Sequence, residues 1–200
     1  MAKLISPLPS LGAIILAGGQ GRRMGYQQKA LLRFNKRPLI DYALDKVRPY
    51  TDQIVISANE EIKTYEAYSY PVVSDLSEYY QRGPLAGIFS ALLTMPEAIE
   101  FIQVLPCDTP FIPDTIALSF NNYLLNNPEK ELVIASTAGK AHPVIMQCRR
   151  SIALKLKAYL DDPRLKNRVM GFIKSCDYGI IEFDDPKEFT NINDLSLLQG

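Results

Sequence analysis

The sequence has no tryptophan and only one histidine, His142, among its 200 residues. A metal site built from several histidines is therefore excluded, and a histidine-dependent catalytic triad would rest on this one residue. The three cysteines, Cys107, Cys148 and Cys176, are odd in number and widely spaced, and none belongs to a C-x-x-C pair. This usage argues against a disulfide framework or a structural zinc site, and we expect a reduced, cytoplasmic location.

The sequence also has no excess of either charge and no long apolar run. Lys plus Arg and Asp plus Glu are 22 each, so the formal net charge is zero and no overall field favours nucleic acid or an anionic membrane. No apolar run approaches the roughly 20 residues of a membrane-spanning helix. Residues 1–10 contain one charged residue and two prolines, without the apolar core of a signal peptide, and we predict a flexible lead-in there.

The most distinctive segment that is present, Leu16 to Gly25, is rich in glycine. It follows the apolar run 11–17, whose length and β-branched residues predict a strand buried on both faces of a parallel sheet. Its four glycines allow a sharp turn and a close approach of backbone N–H groups to a polyanion. Arg22, Arg23 and Lys29 add positive charge nearby. The segment therefore predicts a phosphate-binding loop after the first strand.

Two common glycine fingerprints do not fit this loop. The dinucleotide-binding pattern G-x-G-x-x-G, begun at Gly19, requires a further glycine where Met24 stands. The P-loop pattern fails because no glycine at the required spacing is followed by Lys and then Ser or Thr. What remains, L-A-G-G-x-G-x-R-M-G followed by a lysine, resembles the signature of nucleotidyltransferases that join a nucleoside triphosphate to a phosphorylated partner.

Strand and helix patterns alternate along the rest of the chain. Strands are predicted at residues 11–17, 30–34, 53–59, 71–75, 101–105, 132–135, 142–148 and 179–183. Helices are predicted at residues 38–48, 60–68, 83–95, 113–126, 152–160 and 165–173, and a last short helix is predicted from 191 to about 198. The alternation predicts a single three-layer α/β domain over residues 11–198 with a mainly parallel sheet, in which 142–148 belongs to an antiparallel part.

Polar side chains follow several predicted strands at the point where each strand ends: Asn59, Asp75 and Asp108. In open α/β sheets, ligands bind outside the carboxyl ends of the strands, so we expect these residues at one site together with the glycine loop. Asp108 offers a hard oxygen ligand of the kind that Mg²⁺ uses together with substrate phosphates. The alternative is that Asp108 only caps a turn. His142, which precedes a proline, is either a partly buried structural residue or a site residue.

In combination, the motifs resemble the molybdenum cofactor guanylyltransferase family over residues 11–198. The matching segments are 16–25 with Lys29, Ser57-Ala58-Asn59, Asp75, Gly83-Pro84-Leu85-Ala86-Gly87, Pro106-Cys107-Asp108-Thr109-Pro110, His142-Pro143 and Asn191-Ile192-Asn193. The resemblance implies a Rossmann-like nucleotidyltransferase fold with an α/β/α arrangement. It also implies Mg²⁺-dependent transfer of GMP from GTP to the phosphate of molybdenum-molybdopterin, which yields molybdopterin guanine dinucleotide and pyrophosphate.

The resemblance also assigns roles to individual residues. It implies that GTP is bound by Leu16, Ala17, Gly18, Lys29, Asn59, Asp75 and Gly83, and that Arg22, Lys29 and Asp108 act in the reaction, with Asp108 also binding Mg²⁺. Arg168, Asn191 and Asn193 resemble the residues on the pterin side, where amides suit a ring that both donates and accepts hydrogen bonds. The alternative for the two asparagines is helix capping.

One departure from the family concerns position 28, where an acidic residue is usual and this chain has Gln28. A neutral amide pairs less strongly with nearby arginines. Gln28 keeps open the alternative of a non-catalytic GTP-binding module. Two further alternatives are a cytidylyltransferase acting on the same pterin and a sugar-phosphate nucleotidyltransferase. The expected partners are GTP and molybdopterin, without nucleic acid or membrane. The expected assembly is a monomer or weak homo-oligomer with transient contacts to molybdoenzyme maturation proteins.

Overall fold

A seven-stranded sheet forms the centre of the fold in a computed structural model, which describes residues 10–18, 28–80, 82–165 and 168–192. The strands are β1 (Leu11–Leu16), β2 (Arg33–Phe34), β3 (Arg37–Pro38), β4 (Ile54–Ser57), β5 (Val72–Val73), β6 (Phe101–Pro106), β7 (Leu132–Thr137), β8 (Lys140–Arg149) and β9 (Tyr178–Phe183). The order in the sheet is β5-β4-β1-β6-β8-β7-β9, and β2 and β3 form a separate hairpin.

Six of the seven strands run in one direction. β1 pairs in parallel with β4 and β6, β4 with β5, and β7 with β9, whereas β8 is antiparallel to both of its neighbours, β6 and β7. The predicted mainly parallel sheet is confirmed, as is the antiparallel placement of 142–148. Because β8 runs backwards, its amino end lies at the same edge of the sheet as the carboxyl ends of the other strands.

Helices cover both faces of the sheet and give the predicted three layers. They are α1 (Leu39–Val47), α2 (Ile62–Glu66), α3 (Pro84–Thr94), α4 (Ile116–Asn126), α5 (Ile152–Asp161) and α6 (Val169–Ile173). Buried residues of α1, α2 and α4 share one core with Ala13 and Ile15, while those of α3, α5 and α6 share the other core with Ile14. Successive residues of β1 therefore pack into opposite cores, because side chains alternate between the two faces of a strand. None of the described helices has the length and apolar character needed to cross a membrane.

Some predicted boundaries are wrong for local reasons. Leu165 is not on the last amphipathic helix but exposed before α6, because Pro163 follows the end of α5 and the Asp162 carboxylate accepts a hydrogen bond from the Arg164 N–H at 2.9 Å. This aspartate turn satisfies the backbone without a helix. The segment predicted as a strand at 30–34 begins instead with a 3₁₀ turn, Lys29–Leu31, and pairs only at β2.

Predictions for the two ends of the chain fall mostly outside the described residues. Of the predicted lead-in, only Ser10 is described, and its carbonyl accepts hydrogen bonds from the N–H groups of Glu100 and Phe101, each at 2.9 Å. Of the predicted last helix, Asn191 and Ile192 are described and are not helical. The rest of that helix, including Asn193, lies beyond the described residues.

The helix α3 approaches the sheet closely and brings its first turn to the edge where the parallel strands end. Gly83, just before it, has φ +83°, a conformation that favours glycine, and Pro84 occupies its first turn. At Gly87 a Cβ would stand 2.4 Å from the Ser57 Oγ and 3.5 Å from the Asp75 Oδ1. Glycine at this position therefore lets the helix lie against the ends of β4 and β5.

We expect Gly87→Ala to lower the free energy of unfolding by about 1–2 kcal/mol, because overpacking outweighs the gain in helix propensity. Urea unfolding of the purified protein measures this. Adding Ser57→Ala removes the hydroxyl that the new methyl group meets, so the double variant should regain most of the lost stability. Equal stability of Gly87→Ala and the parent would mean that the Ser57 hydroxyl simply rotates away.

Candidate functional site

A cleft of about 940 Å³ opens where the parallel strands end. One side of the cleft is formed by residues 16–18 at the end of β1 and by Lys29. Asp108, which follows β6, lies between the two sides. The other side is built by residues 137–138 and 140–145 of the β7–β8 hairpin, by Pro186 and by residues 189–191. The expectation that ligand-binding groups collect at this edge of the sheet is consistent with this position.

The beginning of the glycine-rich loop is fixed to the neighbouring strand. The N–H groups of Ala17 and Gly18 both donate to the Ser57 carbonyl, at 2.9 and 3.0 Å. A Cβ on Gly18 would lie 3.7 Å from the Asn59 backbone nitrogen, so the loop starts directly beside the residues that follow β4. The remainder of the loop, including Arg22 and Arg23, lies outside the described residues.

Lys29 and Asp108, which are 79 positions apart in the sequence, meet in the cleft. The Lys29 Nζ lies 2.7 Å from the Asp108 Oδ2, and both side chains are about one-fifth exposed. Lys29 begins the 3₁₀ turn that follows the glycine loop, whereas Asp108 follows the end of β6. The contact places the Lys29 ammonium group against the Asp108 carboxylate, which is the metal ligand proposed from sequence.

Asp108 also belongs to a short polar chain that ends at Asn191. The Thr109 hydroxyl lies 3.2 Å from the Asp108 Oδ1 and 3.0 Å from the Asn191 Oδ1, and the Ile192 N–H donates to the Asp108 carbonyl at 2.8 Å. A hydroxyl has one hydrogen and can donate to only one of these oxygens at a time. The other oxygen keeps acceptor capacity, which suits the binding of a cation at this point.

Asn59 and Asp75 form a reciprocal pair at the ends of β4 and β5. The Asn59 Nδ2 donates to the Asp75 Oδ2, and the Asp75 N–H donates to the Asn59 Oδ1, each at 2.8 Å. Neither residue is among those that line the cleft, but Asn59 lies beside Gly18, which does. The pair fixes the Asp75 carboxylate next to Asn59, which itself lies beside the start of the glycine loop.

Position 28 also has a partner in the segment that follows β4. The Gln28 Nε2 donates to the Glu60 Oε2, so a carboxylate lies next to the amide at the position where the resembled family usually has an acid. Because Glu60 directly follows Asn59, this contact connects the residue before Lys29 to the Asn59–Asp75 pair.

The far wall of the cleft is aromatic and contains His142. The His142 Nε2 lies 2.8 Å from the Thr137 Oγ1, and its ring packs on Phe189 with centroids 5.0 Å apart and planes 33° apart. Phe189 in turn packs on Phe183 at 5.0 Å. His142 is half-buried and lines the cleft, so it has both the partial burial of a structural residue and access to the site. Its position before Pro143, which cannot donate to a strand ladder, was the available signal.

Burial of the ring, and secondarily the positive charge of Lys140, lowers the pKa of His142, while Glu182 acts in the opposite direction. Between the lowered pKa and the ordinary value near 6.5, the unfolded chain binds more protons than the folded one. We therefore expect the free energy of unfolding to fall as the pH drops from 7 to 5.5. Because the ring is partly exposed, the slope should stay well below the single-proton limit of about 1.4 kcal/mol per pH unit.

Urea unfolding at several pH values measures this slope, and the window lies above the range in which the carboxylates titrate. His142 is the only histidine in the sequence, so His142→Gln should flatten the curve between pH 7 and 5.5. An unchanged slope in that variant would contradict the assignment.

Of the other residues proposed from sequence, some line the cleft and some do not. Leu16, Ala17, Gly18, Lys29, Asp108 and Asn191 line the cleft, and Gly83 directly precedes Pro84, which also lines it. Arg168, which the resemblance assigns to the pterin side, is exposed, directly precedes α6 and is not among the described residues that line the cleft. Arg22 and Asn193 lie outside the described residues. No group of three or more described His, Cys, Asp or Glu side chains is close enough to hold a metal ion alone.

Two sequence comparisons find relatives of this chain. A family model described as the MobA-like NTP transferase domain matches residues 13–175. A molybdenum cofactor guanylyltransferase of Shewanella halifaxensis is 34% identical over 183 residues, which cover 90% of this chain and 88% of that protein.

Two solved structures share the fold at lower identity. Molybdopterin-guanine dinucleotide biosynthesis protein A of Archaeoglobus fulgidus aligns with a TM-score of 0.71 at 20% identity and covers 94% of this chain and 95% of its own. A Mycobacterium tuberculosis protein solved in complex with manganese aligns with a TM-score of 0.67 at 17% identity and covers 97% and 100% of the respective chains. At these identities the likeness shows a common fold.

Proposed function

Because the chain belongs to the MobA-like NTP transferase family and is a nucleotidyltransferase of molybdenum cofactor biosynthesis, we propose that it transfers GMP from GTP to molybdenum-molybdopterin. The products are molybdopterin guanine dinucleotide and pyrophosphate. The observation that carries the proposal is the meeting of Lys29 and Asp108, 2.7 Å apart, in a cleft that begins at the glycine-rich loop. A cation and a carboxylate at this place suit a triphosphate and its counterion.

In the proposed reaction, a phosphate oxygen of the acceptor attacks the α-phosphorus of GTP. The bond from this phosphorus to the oxygen that bridges to the β-phosphate breaks, and pyrophosphate leaves with that electron pair. Such transfer depends mainly on positioning and on fixed positive charge around the phosphate oxygens. Lys29 supplies one such charge from the start of its 3₁₀ turn, and Arg22 is proposed to supply another from the loop.

The residues around Asp108 fit a divalent cation. Asp108 is the one carboxylate among the described residues that line the cleft, and the Thr109 hydroxyl leaves acceptor capacity on Asp108 or Asn191. Mg²⁺ is usually held by one or two carboxylates together with substrate phosphates and water, so a single carboxylate suffices. When bound, the cation neutralises charge on the phosphates. The manganese complex of the M. tuberculosis protein supports a divalent cation in this fold.

The preference for guanine is proposed to come from the Asn59–Asp75 pair. The Watson–Crick edge of guanine presents N–H donors, and a carboxylate or amide oxygen can accept from them. The Asn59 amide donates to the Asp75 carboxylate at 2.8 Å and so fixes its acceptor oxygens next to Asn59, whose backbone lies beside Gly18. A base without those donors would forgo these hydrogen bonds, which lowers its affinity.

Pyrophosphate release by the purified protein with Mg²⁺ and molybdenum-molybdopterin tests the proposal, with GTP and CTP compared in parallel. We expect release with GTP and at least tenfold slower release with CTP. A preference for CTP would overturn the guanine assignment, and release only with a sugar phosphate as acceptor would overturn the pterin assignment. A guanylyltransferase from a relative serves as the positive control for the acceptor preparation.

A further inference from the structure

We propose that His142, together with Phe189, binds the flat heteroaromatic ring of the acceptor and determines its position in the cleft. This inference rests on the proposed function, because it takes the acceptor to be a phosphorylated pterin. His142 then acts as an acceptor-binding residue, on the opposite side of the reaction centre from the nucleotide.

The order of the strands separates the two halves of the cleft. Asp75, Asn59 and Gly18 follow β5, β4 and β1, Asp108 follows β6, and His142 lies on β8, the next strand in the sheet. Asp108 therefore stands between the residues proposed for the nucleotide and the wall that contains His142. An acceptor whose phosphate reaches the centre must extend its ring towards this wall.

A bulge in β8 directs residues 142–145 towards the cleft. Ile134 of β7 pairs with Met146, but the next residue, Ala135, pairs with His142, so Pro143, Val144 and Ile145 have no partner on β7. All three of these residues line the cleft, as does His142. Bulges of this kind redirect side chains next to active sites. The excess of three residues on β8 moves this part of the strand out of the regular ladder and into the binding volume.

The His142 ring is held in a defined orientation. Thr137 fixes its Nε2 at 2.8 Å, and Phe189 covers one face at a centroid distance of 5.0 Å. Phe189 is 3% exposed and is itself packed on Phe183, so the imidazole is the end of an aromatic stack that reaches the cleft. A preformed flat surface loses little entropy when a flat ring stacks on it.

The same wall is connected to the reaction centre. Phe189 closes the 3₁₀ turn Pro186–Phe189, and two residues later Asn191 contacts Thr109 at 3.0 Å. The Ile192 N–H then donates to the Asp108 carbonyl at 2.8 Å. A ring stacked on this wall is therefore held at a fixed distance from Asp108, which a binding site for a transferable group requires.

The test measures affinity for molybdopterin and for GTP separately, by calorimetry with each ligand alone, in the parent, His142→Ala and His142→Phe. We expect His142→Ala to weaken molybdopterin binding about tenfold and to change GTP binding less than twofold. His142→Phe keeps a flat ring and should retain affinity within about threefold. Phe111→Ala is the matched control, because Phe111 is an exposed aromatic residue near Asp108 that does not line the cleft, and it should leave both affinities unchanged.

The outcomes separate this inference from the proposed function. An active parent whose molybdopterin affinity is unchanged in His142→Ala would overturn the inference alone, and so would equal losses of molybdopterin and GTP affinity. A parent that binds molybdopterin through His142 but releases no pyrophosphate would support the inference and overturn the proposed function. A parent that does not bind molybdopterin at all would overturn both.

Discussion

Asp108→Asn is expected to reduce kcat for pyrophosphate release by about 100- to 1,000-fold, the usual loss when one fixed electrostatic group is removed from a reaction centre. The change keeps the size of the side chain but removes the charge that pairs with Lys29 at 2.7 Å and that is proposed to bind the divalent cation. The fold should persist, because the bond to the Ile192 N–H uses the backbone carbonyl of residue 108. Steady-state kinetics at saturating GTP and molybdopterin measures kcat, and thermal unfolding monitors the fold.

The matched control is Asp114→Asn, which also removes an aspartate from an ion pair with a lysine. Asp114 contacts Lys46 and has an 86% exposed side chain away from the cleft, so its loss should leave kcat within twofold. If kcat of Asp108→Asn fell by less than threefold, Asp108 would be a turn residue only.

Lys29→Met should have opposite effects on two ligands. Loss of a charge-assisted contact to the triphosphate is worth about 1.5–3 kcal/mol, which corresponds to about a 10- to 150-fold loss of GTP affinity. Affinity for free Mn²⁺ should instead rise, because the ammonium group that now occupies the Asp108 carboxylate is removed. Electron paramagnetic resonance of free and bound Mn²⁺ measures the second effect without any turnover, and calorimetry measures the first.

Lys140→Met provides the comparison for this variant. Lys140 also lines the cleft, but it lies on the β8 side, so both the GTP and the Mn²⁺ affinities should stay within about twofold of the parent. An unaltered GTP affinity in Lys29→Met would contradict a role for Lys29 in holding the triphosphate. An unaltered or lower Mn²⁺ affinity would mean that the ion pair does not restrict access to Asp108.

The edge of the sheet at which Asp108 and the residues proposed for the nucleotide lie was predictable from sequence. Asn59, Asp75 and Asp108 each follow an apolar run, and the ends of parallel strands necessarily share one edge of a sheet. The apolar runs that predict the strands therefore also indicate that these three side chains lie at the same edge of the sheet. The distances within the Asn59–Asp75 and Lys29–Asp108 pairs depend on loop conformation, which periodicity does not contain.

The side of the cleft that contains His142 was less predictable from sequence, because its shape depends on the register between β7 and β8. Arg168, which the resemblance assigns to the pterin side, directly precedes α6, where its side chain is exposed and is not among those that line the cleft. His142 reaches the cleft through a bulge whose size is determined by the pairing of β7 with β8. A single sequence shows Pro143 but does not show which residue of β7 lies opposite it.

The reversed direction of β8 has a consequence for how this protein can diversify. Groups that follow the parallel strands stand in loops, where insertions and deletions are easily absorbed. His142 and Thr137 instead flank the two-residue turn Ala138–Gly139, whose residues have φ +48° and +73° as tight hairpins require. One inserted residue would change the pairing and turn these side chains to the opposite face. New nucleotide preferences can therefore arise through changes of loop length, whereas changes of the acceptor wall at His142 must arise through substitution at constant length.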